Sequence, residues 1–161
     1  NLVDKNVSIR DAKVIELNDG SCIYNFYTDI PKGDAYDIEN KIESLIVNLS
    51  LRLEKKQITR RKKFKLPRRL RSFSTSTKVN FLEDHVHNRT VLEMVSIDRP
   101  GLLVDISEVL RRNNIWIESA KIATIGERAE DVFYLRNEHQ DAIPLETTKR
   151  LESELIESLD N

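Results

Sequence analysis

The chain has 161 residues, of which 39% are hydrophobic and 33% are charged, a composition typical of globular proteins and not of disordered ones. No apolar run approaches the ~20 residues that a membrane span needs, and no basic-then-apolar leader opens the sequence. The single cysteine, Cys22, excludes an internal disulfide framework. We therefore expect a soluble protein from a reducing compartment such as the cytoplasm.

The net charge of -1 hides a strong asymmetry along the chain. Residues 55–71 contain ten basic side chains and no acidic one, which leaves 16 basic against 27 acidic residues elsewhere. Such a segment could follow a phosphate backbone with strong salt sensitivity. Charge runs more often form solvated linkers or contact acidic neighbours, and both neighbouring parts are acidic. We favour a basic linker over a nucleic-acid site.

The first third of the chain predicts a strand, a strand and a helix. Alternating apolar residues indicate a strand over residues 6–17, and Asn18-Asp19-Gly20 is a strong turn signal. A second strand follows over residues 21–30, rich in β-branched and aromatic side chains. Apolar residues then recur every three or four positions over residues 37–53, as in an amphipathic helix.

The middle of the chain predicts an extended segment. Pro67 should end any helix that enters the basic run. Apolar and β-branched residues alternate with polar ones over residues 73–82, which indicates a strand. A polar connection, residues 83–89, leads from this strand into the next apolar stretch.

The last part begins with an apolar strand at Thr90 that feeds the turn Asp98-Arg99-Pro100-Gly101. A helix from Leu102, strands over residues 114–122 and 131–135, and a closing helix after Pro144 follow, with space for a short last strand or none. Pro100 suits a first helical position, and Gly101 allows close approach to the backbone. The bare amide donors there could hold a carboxylate, or the segment could be an ordinary strand-to-helix turn.

An internal repeat links the two ends of the chain. The segment that starts at Asn6 aligns with the segment that starts at Asn114, sharing Asn, Ile, Ala and Lys in register. The first copy begins only at its second strand, so we expect a piece excised from a longer protein. An alternative is that the preceding residues were cleaved or disordered. Either case predicts a bare strand edge and an uncovered apolar face on residues 6–53.

The turn Asp98-Arg99-Pro100-Gly101-Leu102-Leu103, followed by the run from Ser119 to Phe133, resembles the last ACT domain of bacterial uridylyltransferase/uridylyl-removing enzymes. Asp19-Gly20, the basic linker and Lys78-Val79-Asn80-Phe81-Leu82 fall in the order expected of that C-terminal region. The resemblance implies an α+β, ferredoxin-like βαββα(β) domain, an antiparallel sheet with helices on one face. We assign residues 1–53 to an incomplete first copy, 54–89 to the linker and 90–161 to a complete second copy.

The same resemblance implies an amino-acid site between the turn of one domain and the adjoining strand of another. It implicates Asp98, Arg99, Pro100, Gly101, Leu102, Leu103, Asn114 and Ile115, with Asn6 and Val7 at the corresponding strand of the first repeat. Backbone donors at residues 101–103 would take the carboxylate of the ligand, and Asp98 or Asn114 its ammonium group. Glutamine as the ligand rests on the resemblance alone.

No glycine-rich phosphate cradle, nucleophile elbow or zinc helix is present in the sequence. His85 and His87 could face one side of a strand, but no spaced third ligand is evident, and we favour a solvated loop. We expect no catalytic residue, metal or cofactor here. The resemblance places the catalytic centres and their Mg²⁺ upstream, outside this chain, and implies the PII protein as partner and a homo-oligomer formed through ACT sheets. Alternatives are a ligand-free dimerisation module or, less favoured, a nucleic-acid module.

Overall fold

The computed structural model describes residues 9–16, 22–29, 35–54 and 76–160. The predicted elements that fall in these ranges are present, with boundaries shifted by a few residues. The strands are β1 (Ile9–Glu16), β2 (Cys22–Thr28), β3 (Lys78–Asp84), β4 (Arg89–Ile97), β5 (Trp116–Ile125) and β6 (Arg128–Arg136). The helices are α1 (Ala35–Glu54), α2 (Leu102–Arg112) and α3 (Leu145–Asp160).

The six strands form one antiparallel sheet in the order β2-β1-β5-β6-β4-β3. Burial alternates strictly along β6, so one face of the sheet is covered and the other is open. The helices α2 and α3 contact each other over the covered face. The core consists of Leu92, Met94, Leu102, Ile106, Val109, Leu110, Ile115, Ala120, Ala129, Phe133, Leu135, Ile143, Leu151, Leu155 and Leu159. The predicted α+β, ferredoxin-like fold is confirmed.

The strand that we placed in the linker is part of this sheet. β3 pairs with β4 from Lys78↔Val95 to Asp84↔Arg89, and a four-residue turn joins the two strands. Val79 and Phe81 pack against the core, and α3 contacts β3. β3 thus fills the edge position beside β4 that a final strand after α3 could have taken. The sheet of the second unit therefore begins with β3, before residue 90. With β3 on one side and β6 on the other, β4 has hydrogen-bonding partners along both of its edges.

The two repeats meet through β1 and β5. Ala12 pairs with Ala120, Asp11 with Lys121, and Lys13 with Ser119. Ala12 and Ala120 are also equivalent positions of the sequence repeat. The contact is therefore isologous in form, because each strand presents equivalent positions of the repeat to the other in reversed direction.

The first unit leaves apolar side chains exposed, as the incomplete repeat predicts. The exposed fractions of Ile42, Ile46 and Leu51 on α1 are 50%, 58% and 47%. Tyr24 and Phe26 on β2 are similarly exposed. Among the described residues, this unit has no counterpart of α2, the helix that covers the second unit.

Replacing Leu92 by alanine should lower the free energy of unfolding by about 2–5 kcal/mol, because this side chain is fully buried on β4 and its loss leaves a cavity. Leu82→Ala is the matched control, since Leu82 is 47% exposed and should cost less than about 1 kcal/mol. Urea unfolding of the three proteins measures both values. Equal costs at the two positions would contradict the described core.

The register of β1 and β5 can be tested by a disulfide. In a Cys22→Ser background, Lys13→Cys with Ser119→Cys places two thiols directly opposite each other on the open face. We expect an intramolecular disulfide on mild oxidation, identified by peptide mass spectrometry. Lys13→Cys with Lys121→Cys is two residues out of register and should cross-link poorly. The reverse preference would show that the two repeats pair differently.

Candidate functional site

The strand-to-helix turn after β4 is closed by main-chain hydrogen bonds. The Asp98 N–H donates to the Glu127 carbonyl (2.9 Å), and the Leu102 N–H donates to the Arg99 carbonyl (3.1 Å). Gly101 has φ 87°, in the left-handed region that favours glycine, so the chain can turn directly into α2. The Asp105 N–H donates to the Gly101 carbonyl (3.0 Å) and begins the helical pattern.

The first turn of α2 keeps some of the amide donors that we predicted for a ligand carboxylate. The Leu102 N–H is used inside the turn, whereas the Leu103 and Val104 N–H groups have no backbone acceptor among the described residues. Free donors and the helix dipole together favour an anion at this point. Of the predicted donors at residues 101–103, the Leu102 N–H is therefore used inside the turn, while the Leu103 N–H stays available together with that of Val104.

Arg99, a predicted ligand residue, has a partner inside the protein. Its Nη2 lies 2.7 Å from Oδ2 of Asp105, and the exposed fractions of the two side chains are 9% and 8%. Removing one partner of such a buried pair leaves an uncompensated charge. The Arg99 side chain thus holds the turn against the first turn of α2, where the Asp105 carboxylate also faces the positive end of the helix.

Asp98 is exposed and faces both repeats. Its Oδ2 accepts a hydrogen bond from the Thr124 hydroxyl on β5 (3.2 Å). The pKa of Arg10 on β1 is raised, chiefly by its hydrogen bond to Asp29 and the charge of that carboxylate, and further by the charge of Asp98. The structure therefore brings the turn of the second unit within electrostatic reach of a side chain of the first.

Asp131 is a buried carboxylate that our sequence analysis missed. It lies on the covered face of β6, paired with Met94 and Ile122 on the neighbouring strands, and is 1% exposed. Its Oδ1 accepts the Ala123 N–H (3.3 Å), and its Oδ2 has no hydrogen-bond partner. Burial, with a smaller contribution from the charge of Asp98, raises the pKa of Asp131 to about 7.

The sequence carried a signal for Asp131. It stands in strict alternation with Ala129, Phe133 and Leu135, the buried positions of β6. A period of two therefore assigns it to the covered face, where an acidic residue needs a special reason.

The structure separates Asn114 and Ile115 from the rest of the predicted site. They follow the C-terminal end of α2, whose 11 residues span about 16 Å. Asn114 ends the helix in the left-handed region (φ 55°), and the Ile115 N–H donates to the Leu110 carbonyl (3.0 Å). Ile115 is 8% exposed and belongs to the core. The corresponding residues of the first repeat, Asn6 and Val7, lie outside the described residues.

The opposite end of the sheet carries an ionic network at the β3–β4 turn. Arg89 Nε lies 2.8 Å from Asp84 Oδ2, and His87 Nδ1 lies 2.9 Å from the same oxygen. The hydrogen bond from Arg89 is the main cause that lowers the pKa of Asp84 to about 2. Arg89 also stacks on Tyr134, 4.3 Å from the ring centroid. These contacts fasten the hairpin to the sheet.

Within the described ranges, no group of three or more His, Cys, Asp and Glu side chains is arranged to hold a metal ion. No helix in the same part of the chain is long and apolar enough to cross a membrane. Trp116 lies on β5 and is 58% exposed. The basic run, residues 55–71, falls outside the described residues.

The buried Asp131 carboxyl should make stability depend on pH. Its pKa in the folded protein is about 7 against 3.8 for an unperturbed aspartate, so the folded state holds a proton that the unfolded state releases. The unfolding free energy should therefore fall as the pH rises, by about 3 kcal/mol between pH 5 and pH 8 from this group. Asp131→Asn should lack this component, as measured by urea unfolding at both pH values. If the unfolding free energies of the two proteins differed by the same amount at pH 5 and at pH 8, the Asp131 carboxyl would ionise in the folded protein as it does in the unfolded one.

Comparisons with known proteins agree with this geometry. The ACT domain family model matches residues 90–153. The chain is 34% identical over 154 residues to the bifunctional uridylyltransferase/uridylyl-removing enzyme of Photobacterium profundum, with 94% of this chain and 17% of the relative covered. The enzyme of the same name from Vibrio parahaemolyticus is 36% identical over 155 residues, with 96% of this chain and 18% of the relative covered.

The similarity extends to a third relative and to nearly the whole chain. The corresponding enzyme of Idiomarina loihiensis is 33% identical over 159 residues, which cover 99% of this chain and 18% of the relative. The chain thus spans 17–18% of the length of these curated relatives, and no solved structure matches it. Residues 90–153 match the ACT domain family model, and nearly the whole chain is similar to the ACT-containing C-terminal part of bifunctional uridylyltransferase/uridylyl-removing enzymes.

Proposed function

We propose that this chain is an amino-acid sensor, with glutamine as its ligand, which controls the uridylylation and deuridylylation of the PII signal-transduction protein. The observation that carries the sensor assignment is the turn at Asp98 and Gly101, where the Leu103 and Val104 N–H groups have no backbone acceptor among the described residues and where Arg10 of the other repeat feels the charge of Asp98. Glutamine and PII come from the resemblance alone, and the names of the relatives support the link to uridylylation and its removal.

The chemistry of the turn suits a zwitterion. The Leu103 and Val104 N–H groups and the α2 dipole favour a carboxylate, while the exposed Asp98 carboxylate offers an acceptor for an ammonium group. The acceptor and the donors lie on the two sides of Gly101 along the chain. An α-amino acid carries a carboxylate and an ammonium group on one carbon atom.

A ligand at this place would act on the contact between repeats. The β1–β5 pairing joins the two units next to the turn, so a ligand that contacts both would favour one packing of this pairing over another. The size of the regulatory effect is limited by the difference between the ligand's affinities for the two packings. Catalytic domains attached to the sensor would respond to the favoured packing.

The other parts of the proposal concern the whole enzyme. Its catalytic domains, and the Mg²⁺ they are expected to use, would lie outside this chain. A homo-oligomer formed through ACT sheets and a cytoplasmic location belong to the same proposal. The exposed β2 edge and the open sheet face support the former, and the single cysteine supports the latter.

Titration calorimetry with L-glutamine tests the sensor directly. The protein should give saturable binding heat, and Asp98→Asn should weaken binding by about tenfold or more because it removes the charge that faces the ammonium group. Gly101→Val should abolish binding, since its side chain would cover the turn and its φ of 87° disfavours a β-branched residue.

Two controls keep the test specific. Glu138→Gln removes an exposed carboxylate at the opposite end of the sheet and should leave glutamine binding unchanged. Gly126→Ala introduces a similar left-handed strain (φ 65°) in open space, which separates backbone strain from blockage. Absence of binding heat with glutamine and with other amino acids, in a folded protein, would favour a ligand-free interaction module.

A further inference from the structure

We propose that Asp131 is the inner acceptor of the amino-acid site, which takes one N–H of the ligand's ammonium group while Asp98 takes another. This inference rests on the proposed function and adds a residue that the sensor turn alone does not include. It assigns a role to the one buried side-chain oxygen that has no partner in the described part of the chain, Oδ2 of Asp131.

The geometry joins the two carboxylates through consecutive residues of β5. The Ala123 N–H donates to Asp131 Oδ1 (3.3 Å), and the Thr124 hydroxyl donates to Asp98 Oδ2 (3.2 Å). Asp98 is exposed and Asp131 is buried, and the charge of Asp98 contributes to the raised pKa of Asp131, so the two carboxylates lie within electrostatic reach of each other. Both face the same side of the sheet as the first turn of α2, which supplies the donors for a carboxylate.

A buried, unpartnered carboxyl is costly unless something completes it. An ammonium group has three N–H donors and a positive charge, so it can satisfy both carboxylates and relieve their mutual repulsion. A neutral ligand or a bare anion could do neither. The pair therefore selects ligands with a cationic amine beside the carboxylate, which is the common element of free α-amino acids.

Binding should release a proton. The elements around Asp131 carry several other charged side chains. Asp98 lies at the end of β4, and Arg99 pairs with Asp105 at the start of α2. Arg10 on β1 pairs with Asp29 after β2, and Asp160 ends α3. The histidines His85, His87 and His139 lie at the opposite end of the sheet. Burial raises the pKa of the Asp131 carboxyl to about 7, so this carboxyl is partly protonated near neutral pH and would ionise when the ammonium group binds.

The test is the pH dependence of L-glutamine binding. Affinity should be about tenfold weaker at pH 6 than at pH 8, and calorimetry at pH 6 in two buffers of different ionisation enthalpy should show release of about one proton. Asp131→Asn should bind about 10- to 100-fold more weakly at pH 8 and with nearly equal affinity at both pH values. Glu130→Gln, one residue away on the open face, should keep the pH dependence of the original protein.

The outcomes separate this inference from the sensor assignment. Glutamine binding with equal affinity at pH 6 and pH 8, and without proton release, would overturn the role of Asp131 and leave the sensor intact. Retention of the pH dependence in Asp131→Asn would also overturn it. Absence of binding in the folded protein would overturn both proposals. A purely structural Asp131 would change the unfolding free energy with pH but not the proton count of binding.

Discussion

The antiparallel pairing of β1 with β5 is the contact on which the rest of the arrangement depends. It joins equivalent positions of two repeats about Ala12 and Ala120, and the small side chains on the covered face let the sheet continue from one unit into the next. Because the contact is isologous in form, it brings the beginning of one unit's strand to the turn of the other. For this reason the charge of Asp98 contributes to the raised pKa of Arg10. The proximity of the first unit to the turn of the second is a consequence of strand register.

The turn itself is held by interactions that leave it ready for an anion. The buried Arg99–Asp105 pair and the Leu102 N–H bond fix the start of α2, and Gly101 provides the left-handed residue that the change of direction requires. The remaining amide donors therefore need no reorganisation to meet a ligand. The turn thus combines N–H groups that lack acceptors with a buried carboxylate oxygen, Oδ2 of Asp131, that lacks a donor. Polar groups without partners cost stability, and such costs concentrate at functional sites.

The end of the sheet that carries the turn also holds the start of β3. The Thr77 hydroxyl donates to Asp160 Oδ1 at 2.5 Å and lies 3.2 Å from the Ser96 hydroxyl. This links the start of β3 to the end of α3 and to β4, two residues before Asp98. The histidines and the Arg89 network occupy the other end. The two ends of the sheet are therefore chemically distinct, one suited to a ligand and one fastened by ion pairs.

The sequence by itself determined the order of helices and strands and the resemblance to ACT domains, because these depend on periodicity, turn residues and a long motif that are readable along the chain. It also predicted a ligand site at the turn of Asp98 and Gly101. Only the tertiary structure decided that β3 fills the sheet edge beside β4, that Asn114 stands a helix length from Asp98, and that Asp131 lies unpartnered behind it. Local patterns specify which face of a strand is buried, but the partner that meets this face comes from residues far away in the chain. That choice depends on the packing of the whole sheet and its helices, which no single stretch of sequence contains.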